Sequence, residues 1–295
     1  MGGPASITVN PGHHTSDHNN GTIAEAAIST AAARLAELER KYSRFDPYSL
    51  ISQINARAGS EIFTPIDVEM RSLISLADQL WRETEGLFDP TVGVLNQVWD
   101  FNAGKSENPD RLRDLLDKVG WDRVECDERG IRLPLQGMEL DLGGLVKEFA
   151  ADCAAAILRD AGIRSALVEL AGDIVALGGQ TSDAAWQIGI RDPQAPADSI
   201  VSVQLTNAAI CSSGNYARRF HHNGKFVSHL LHPQTGQPID GPCSVSVIGE
   251  SALVAGTIAT AACLQDEAGA QTWLDQSALP WLMINKENYC LGTIQ

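Results

Sequence analysis

The sequence predicts an α+β protein in which helices pack against largely antiparallel sheets. Three observations favour this class. Segments with strand character cluster in the middle of the chain, short turns join them, and helical segments do not alternate with them as a doubly wound sheet would require. No internal repeat or long linker interrupts residues 1–295, which we expect to form a single domain or two intimate subdomains.

The first half of the chain is predicted to be mainly helical. Apolar residues recur at helical spacing among many alanines in the long first helix, and Pro47 prevents its continuation. Ser49 and Asp67 are candidate N-caps of the next two helices, and Gly86 ends the second of them. A strand at 7–9 and a polar loop at 10–21 precede helices over 23–42, 49–55, 67–85 and 111–119.

The second half combines helices with the cluster of strands. A further helix is predicted over 145–161. Strands then follow at 166–170, 174–177, 186–191, 200–205 and 209–211. We expect these strands to form a meandering sheet. The chain ends with a strand at 244–248, helices over 251–264 and 268–276, and a hairpin of 282–284 with 290–293.

The composition excludes several functional classes. The chain is 44% hydrophobic, as expected of a globular protein with a large core. Its net charge of −15 repels phosphate backbones, so nucleic acid is not an expected partner. No uninterrupted apolar run is long enough to span a bilayer. The six scattered cysteines suit free thiols in a reducing compartment, so we expect a cytoplasmic protein, or an exported one if a leader was removed.

The most informative segment is the double-glycine turn at 141–149. An apolar strand pattern ends at Gly143 and Gly144, and a helical pattern follows directly. Glycines let a ligand approach the backbone, and the helix that begins there offers unpaired N–H groups and its positive dipole end. The pattern predicts an anion site, although such a turn can also be plain punctuation between a strand and a helix.

Two other turns, one before and one after this segment, carry acidic residues, and the first also carries a hydroxyl. Asp89 and Thr91 flank Pro90 in a turn that is explained either by an N-cap at Asp89 or by contact with a ligand. Glu169 and Asp173 stand at a strand end beside a glycine, where ligand-facing groups and solvated turns are both common.

Two more segments follow the strand that ends at residue 211. Ser213, Gly214 and Asn215 offer groups that suit hydrogen bonding to phosphate or to a ring edge, or else form an ordinary turn. Four of the seven histidines fall within residues 221–232. Zinc is not favoured there, because no cysteine or spaced carboxylate completes a coordination set.

The order of these segments resembles that of the ApbE family, the FAD:protein FMN transferases, over nearly the whole chain. Residues 1–4 resemble the family's opening Met-Gly-Thr, residues 43–49 with Asn55 its Ser-x-aromatic-x-Pro-x-Ser stretch, and residues 86–93 its Gly-x-Phe-Asp-Pro-Thr-Val-Gly. Residues 141–147 resemble Asp-Leu-Gly-Gly-Ile-Ala-Lys, residues 169–173 Glu-Leu-Gly-Gly-Asp, and residues 229–236 His-Ile-Ile-Asp-Pro-x-Thr-Gly, with residues 213–216 completing the series. Each motif alone is weak, but so many in one order are specific.

The resemblance implies a T-fold-like α+β architecture that holds FAD in a cleft, with Mg²⁺ at its diphosphate. It implies transfer of the FMN half to a threonine or serine hydroxyl of an acceptor flavoprotein, with AMP as the leaving group. That chemistry needs a divalent ion, a base near the attacking hydroxyl, and backbone donors for the phosphate oxygens. A relative that binds FAD or another nucleotide without transferring FMN remains the alternative.

The resemblance also assigns roles to residues of this chain. His229 corresponds to the candidate base, and the metal ligands correspond to the backbone carbonyl of Val146, to position 256 and to Thr260. The cofactor contacts correspond to Phe45, Tyr48, Asp89, Pro90, Thr91, Gly143, Gly144, Lys147, Glu169, Ser213, Gly214, Asn215 and Leu231. The two aromatics are candidates for stacking on the isoalloxazine ring, with burial in the core as the alternative.

The chain departs from the family pattern at the metal ligands. Gly256 stands where the family has Asp, and losing a charged oxygen should weaken the binding of a hard dication. His232 and Gln234 likewise replace an Asp and a common Arg. Glu148 replaces a glycine and is the nearest acid that could compensate, but an acid in the first turn of a helix is the expected response to the helix dipole.

Overall fold

The computed structural model describes residues 3–10, 20–100, 105–106, 109–195, 197–215, 219–222 and 225–294. The opening Met-Gly, most of the predicted polar loop, and Tyr216 of the 213–216 motif lie outside these ranges.

Fifteen strands and seven α-helices make up the described chain. The strands are β1 (Ala5–Val9), β2 (Trp99–Asp100), β3 (Lys105–Ser106), β4 (Glu125–Asp127), β5 (Gly130–Arg132), β6 (Ala166–Leu170), β7 (Asp173–Leu177), β8 (Trp186–Arg191), β9 (Ser199–Leu205), β10 (Ala208–Gly214), β11 (Arg219–His222), β12 (Lys225–Ser228), β13 (Ser244–Gly249), β14 (Trp281–Ile284) and β15 (Cys290–Gly292). The helices are α1 (Asn20–Tyr42), α2 (Leu50–Ala56), α3 (Val68–Glu83), α4 (Pro109–Leu116), α5 (Val146–Asp160), α6 (Ala252–Cys263) and α7 (Glu267–Ser277).

A seven-stranded antiparallel sheet is the centre of the fold. Its strand order is β1-β6-β7-β10-β13-β14-β15, and every neighbouring pair is antiparallel. Helices occur before, between and after these strands without a regular βαβ alternation. The predicted α+β class is therefore confirmed.

The two faces of this sheet are covered differently. Along β6, the side chains of Ala166, Val168 and Leu170 belong to the large core shared with α1, α5, α6 and α7. Leu167, on the alternate face, packs instead against the core of the β8–β9 hairpin. The sheet thus has helices on one face and a two-stranded hairpin on the other, and the helix-covered face carries the site described below.

The helix caps predicted from local sequence are confirmed. The Ser49 side chain accepts a hydrogen bond from the Ser52 N–H at 2.9 Å, and Asp67 accepts one from the Met70 N–H at 2.9 Å. α3 ends two residues earlier than predicted, with Thr84 as C-cap and Gly86 at a left-handed φ of 85°. These caps depend only on neighbouring residues, which is why the sequence suffices to find them.

Predictions for the middle of the chain were partly wrong. β8 and β9 pair only with each other, so the strands there do not form one meander. β10 does not end at residue 211, because Ser213 and Gly214 remain paired with Val245 and Ser244 of β13. The predicted helix 111–119 ends at residue 116, and the N–H groups of Lys118 and Val119 then bond three residues back, which tightens the chain.

Three short strand pairs were not predicted. These are β2–β3, β4–β5 and β11–β12, whose strands of two to four residues are too short to show a period. None of the helices in the described ranges has the length and apolar character needed to cross a membrane.

Candidate active site

Asp141 organises the double-glycine turn. Its N–H donates to the Pro90 carbonyl at 2.8 Å, and its Oδ1 accepts the Gly143 N–H at 2.8 Å. Arg44 Nε lies 3.2 Å from Asp141 Oδ2. The carbonyl of Leu142 then accepts the N–H groups of Leu145 and Val146, where α5 begins. The turn is therefore held from three sides, with the exposed Gly143 at the N-terminal end of the helix.

The glycines of two motifs allow close packing. A Cβ on Gly144 would lie 3.2 Å from the Phe88 ring, and a Cβ on Gly93 would lie 2.9 Å from Asp141 Cβ. Segments 86–93 and 141–147 consequently touch through positions where no side chain fits. Gly144 serves this packing, whereas Gly143 leaves its backbone accessible.

Asp89 and Thr91 form a buried hydrogen-bonded pair in segment 86–93, which packs on the double-glycine turn. Asp89 Oδ1 accepts both the N–H and the hydroxyl of Thr91, at 2.7 and 2.6 Å, and Oδ2 accepts the Trp121 N–H at 3.0 Å. The Thr91 hydroxyl also accepts the Gly120 N–H at 2.8 Å. Burial raises the pKa of Asp89 despite these bonds. A 3-10 helix begins only at residue 92, so Asp89 ties two loops together and does not cap a helix begun by Pro90.

Asp152 fastens the start of α6 to α5. Its two carboxylate oxygens accept the N–H groups of Ala252 and Leu253 at 2.8 and 2.9 Å, in addition to the cap that Ser251 provides. These N–H groups have no partner inside the helix. Because one helical turn is about 3.6 residues, position 148 lies one turn before this contact on α5, and position 256 lies one turn after it on α6.

Glu148 fills the space beside Gly256. A Cβ on Gly256 would overlap Glu148 Cγ and would lie 3.2 Å from its carboxyl carbon and 3.3 Å from Oε1. The residue is only 3% exposed, and burial raises its pKa. Oε1 is 3.1 Å from Lys147 Nζ, while Oε2 has no hydrogen-bond partner among the described residues. An acid that only interacts with the helix dipole would be solvated, whereas Glu148 is enclosed by the protein.

Lys147 links Glu148 to the sheet. Its Nζ also pairs with Asp173 Oδ2, and Asp173 Oδ1 accepts the Ser212 N–H at 3.1 Å. Asp173 is 1% exposed and directly follows the β6–β7 turn, in which Ala171 and Gly172 both have left-handed φ. The solvated turn considered for this acid is therefore wrong.

Glu169, the other acid of that motif, lies elsewhere. It alternates with Val168 and Leu170, so its side chain is on the sheet face away from the helices. Ser6 Oγ donates to it at 3.4 Å. Glu169 is half-buried and is not brought together with Lys147 and Glu148.

Two hydroxyls, one from β10 and one from α6, also belong to the candidate site. Ser213 Oγ and Thr260 Oγ1 are 2.8 Å apart, and Thr260 lies one turn beyond Gly256 on α6. Asn215 follows the strand end, donates from Nδ2 to the Pro242 carbonyl at 3.0 Å, and leaves a buried Oδ1 without a hydrogen-bond partner in the described chain. The predicted Ser213-Gly214-Asn215 group is thus ordered by strand pairing.

The segment that contains His229 packs across two cores. Leu230 contacts the main core, whereas the Leu231 side chain is buried with residues of α4 and the 3-10 helix, so a ligand could meet only its backbone. His229 is half-buried between these anchors and the β11–β12 hairpin. His232 Nδ1 accepts the Gln234 N–H at 3.2 Å, which is the bond that an Asp would make in such a turn.

The two candidate stacking aromatics are exposed. Phe45 and Tyr48 are 79% and 86% exposed, so the alternative that they belong to the core is wrong. The Arg44 guanidinium lies 4.6 Å from the Phe45 ring centre and also pairs with Asp141. Arg44 thus connects the exposed Phe45 ring to Asp141 of the double-glycine turn.

An apolar cavity of about 260 Å³ opens next to Lys147. Its lining combines β1, α1 and the β6–β7 turn, and includes Gly3, Pro4, Leu35, Leu170 and Ala171. Lys147 and Glu39 contribute its charged atoms. This volume suits part of a dinucleotide rather than all of it.

Of the three acids that the site depends on, the sequence indicated two and missed Asp152. Asp152 gave no signal, Asp173 was one of two acids in a motif, and Glu148 was considered only as a compensating acid.

Val146, whose backbone carbonyl is a candidate metal ligand, is the first residue of α5. Its side chain is buried, and its carbonyl lies in the first turn of the helix. Within the described ranges, no group of three His, Cys, Asp or Glu residues is arranged to hold a metal by itself.

The model of the ApbE family matches residues 1–283. The FAD:protein FMN transferase of Rhodobacter capsulatus is 31% identical over 256 residues, which is 85% of this chain but 48%, about half, of that relative. The Treponema pallidum protein of the same name is 32% identical over 261 residues, 80% of this chain and 70% of that protein.

Solved structures agree with these relatives. The ApbE protein of Thermotoga maritima superposes with a TM-score of 0.82 at 27% identity, over 97% of this chain and 92% of that one. The flavin transferase ApbE from Vibrio cholerae superposes with a TM-score of 0.84 over 99% and 94% of the chains. At 23% identity, the second likeness concerns the fold alone.

Proposed function

The chain belongs to the ApbE family, and we propose that it transfers FMN from FAD to a threonine or serine hydroxyl of an acceptor flavoprotein and releases AMP. One observation carries this proposal: the family match spans residues 1–283, and relatives at 31% and 32% identity are FAD:protein FMN transferases. The alternative of a relative that binds FAD without transfer is not favoured, because those relatives are named for the transfer reaction.

The proposed reaction is a phosphoryl-type transfer. The acceptor hydroxyl oxygen attacks the FMN-side phosphorus of FAD, and the bond to the AMP phosphate breaks as AMP leaves with the electron pair. His229 is proposed as the base that takes the hydroxyl proton. It is half-buried, and the next two residues, Leu230 and Leu231, anchor its segment in two cores, which would restrict the position of the imidazole.

The diphosphate is proposed to lie against the double-glycine turn. Gly143 is exposed at the N-terminus of α5, where backbone N–H groups and the helix dipole favour an anion. Phe45 and Tyr48 are proposed to contact the flavin ring, since both expose aromatic surface and Arg44 connects Phe45 to the turn. Lys147 is proposed to contact the part of the dinucleotide that enters the neighbouring cavity.

We further propose that transfer depends on Mg²⁺. The Val146 carbonyl and the Thr260 hydroxyl would supply neutral oxygen ligands, and the orphaned Oε2 of Glu148 beside position 256 fits a bound cation. When bound, the ion supplies positive charge that offsets the charge of the diphosphate.

The proposal is tested with purified protein, FAD, Mg²⁺ and an acceptor domain that carries the target threonine. Covalent flavin fluorescence on the denatured acceptor together with an equal amount of AMP supports the function. An acceptor with Thr→Ala is the matched control. Tight FAD binding without any covalent flavin or AMP would favour the non-transferring alternative.

We also propose that the protein is located in the cytoplasm. The six cysteines are free, which agrees with a reducing compartment such as the cytoplasm. Cell fractionation followed by detection of the protein tests it, and recovery from the exported fraction would contradict it.

A further inference from the structure

We infer that Glu148 supplies, from α5, the carboxylate ligand of the divalent cation that the family pattern would place at position 256 of α6. This inference rests on the proposed function for the identity of the diphosphate substrate. In this chain the cation site would thus keep its charge while the acidic residue changes helix.

The first observation is the position of the carboxyl group. Its carbon lies 3.2 Å from where a Cβ on Gly256 would be, so the Glu148 carboxyl occupies the surroundings of an Asp side chain at that position. The bonds from Asp152 to the start of α6 fix the two helices in this register. The location is therefore determined by helix packing and not by a mobile surface side chain.

The second observation is an unbalanced charge in a buried place. Glu148 is 3% exposed and Asp173 is 1% exposed, and within the described chain the ion pairs of both go to Lys147. Two carboxylates thus share one ammonium group. A buried excess charge is costly unless another cation compensates it.

The third observation is the free oxygen. Glu148 Oε1 faces Lys147 Nζ, whereas Oε2 is buried without a hydrogen-bond partner among the described residues. Native structures rarely leave a buried carboxylate oxygen in that state without a bound ion or water. Asp152, the next acid on the same face, has both oxygens bonded to N–H groups, so of these two acids only Glu148 has an unbonded carboxylate oxygen among the described residues.

The surrounding oxygens suit Mg²⁺. Thr260 is one turn further along α6 and contacts the Ser213 hydroxyl at 2.8 Å. Mg²⁺ usually takes one or two protein carboxylates and completes its shell with water and substrate phosphate. A site of this kind does not need three acidic or histidine ligands, in line with the finding that the described residues contain no such group.

The two departures from the family pattern are also sterically coupled. A Cβ on residue 256 would overlap Glu148 Cγ, so a side chain there and the Glu148 side chain compete for the same space in this packing. Glycine at 256 therefore leaves room for the acid on α5. This coupling explains why both positions differ from the family pattern together.

The test measures the affinity of the full chain for FAD by flavin fluorescence, at constant ionic strength, with and without Mg²⁺. For the unaltered protein we expect Mg²⁺ to tighten FAD binding by about tenfold, a typical coupling between two ligands. Glu148→Gln keeps the shape but removes the charge. In the absence of Mg²⁺, we expect this variant to bind FAD more tightly than the unaltered protein does. Adding Mg²⁺ should then leave the FAD affinity of the variant unchanged.

Two further variants complete the design. Asp160→Asn, at the exposed far end of α5, is the matched control and should keep the Mg²⁺ effect. Glu148→Gly combined with Gly256→Asp returns the carboxylate to α6 and should restore the effect. A thermal melt of each variant verifies that it is folded.

The outcomes are distinguishable. If Glu148→Gln keeps the full Mg²⁺ effect, or if FAD binding by the unaltered protein ignores Mg²⁺, the inference is overturned while FMN transfer can still be measured separately. If the unaltered protein binds no FAD under either condition, the proposed function fails together with it.

Discussion

A methyl group added at position 256 should report how closely α5 and α6 pack. In Gly256→Ala, the new Cβ overlaps Glu148 Cγ and stands 3.2 Å from its carboxyl carbon. Forcing one extra carbon into a filled site costs about 1–3 kcal/mol. Replacing Gly by Ala inside a helix returns about 1 kcal/mol. We therefore expect a net loss of about 0–2 kcal/mol, the difference of these two terms.

The clash can be separated from the helix-propensity gain by changing Glu148. Glu148→Ala removes Cγ, so in that background Gly256→Ala should stabilise the protein by about 1 kcal/mol. Glu148→Gln keeps Cγ and serves as the matched control, in which the penalty should remain. The predicted coupling between positions 148 and 256 is thus about 1–3 kcal/mol.

Urea denaturation followed by tryptophan fluorescence and by circular dichroism measures these free energies of unfolding. Coincident transitions from the two probes are required before the values are compared. If Gly256→Ala changes stability equally in the Glu148→Ala and Glu148→Gln backgrounds, the two residues are not in contact. The placement of the carboxyl group beside position 256 would then be refuted.

Four further substitutions have distinct expected outcomes. His229→Ala should lower the transfer rate by about 10²–10⁴ with little change in FAD affinity, and an equal loss of both would contradict its role as base. Phe45→Ala should weaken FAD binding by about threefold to tenfold, the worth of one aromatic contact, which fluorescence titration checks; unchanged affinity would remove this ring from the binding surface. Burial raises the pKa of Glu148 above 4.5, so the folded state holds its proton more tightly than the unfolded state. Without Mg²⁺, the stability of the protein relative to Glu148→Gln should therefore fall as pH rises above 4.5 through the folded pKa, and a constant difference in unfolding free energy would exclude that shift. Asp152→Ala leaves two N–H groups at the start of α6 without these acceptors and should cost about 1–3 kcal/mol in the same unfolding assay, whereas no loss would show that the helices are held otherwise.

Local features of the fold could be predicted from the sequence because their partners are close in the chain. Ser49 and Asp67 cap helices through N–H groups three residues ahead, so a short window contains the whole interaction. The α+β class followed from the clustering of strand patterns. The separation of β8 and β9 from the main sheet did not, because period-two alternation does not state which sheet a strand joins.

The site shows the same limit more sharply. The motif order indicated the double-glycine turn and the loss of an acid at Gly256, but it did not show which face each side chain takes. Glu148 and Gly256 lie far apart in the chain and meet because α5 and α6 pack together, with Asp152 bonded to the start of α6. A single sequence contains each of these residues but not the distance between them.

The placement of a cation at Glu148 is tested most directly by a crystal structure of the full chain with FAD and Mn²⁺, using anomalous scattering to locate the metal. The account predicts a peak beside the diphosphate, about 2.1 Å from Glu148 Oε2 as for Mg²⁺ and its oxygen ligands, with Thr260 close by. A diphosphate bound with its metal away from Glu148, or bound with Lys147 alone compensating both carboxylates, would contradict it.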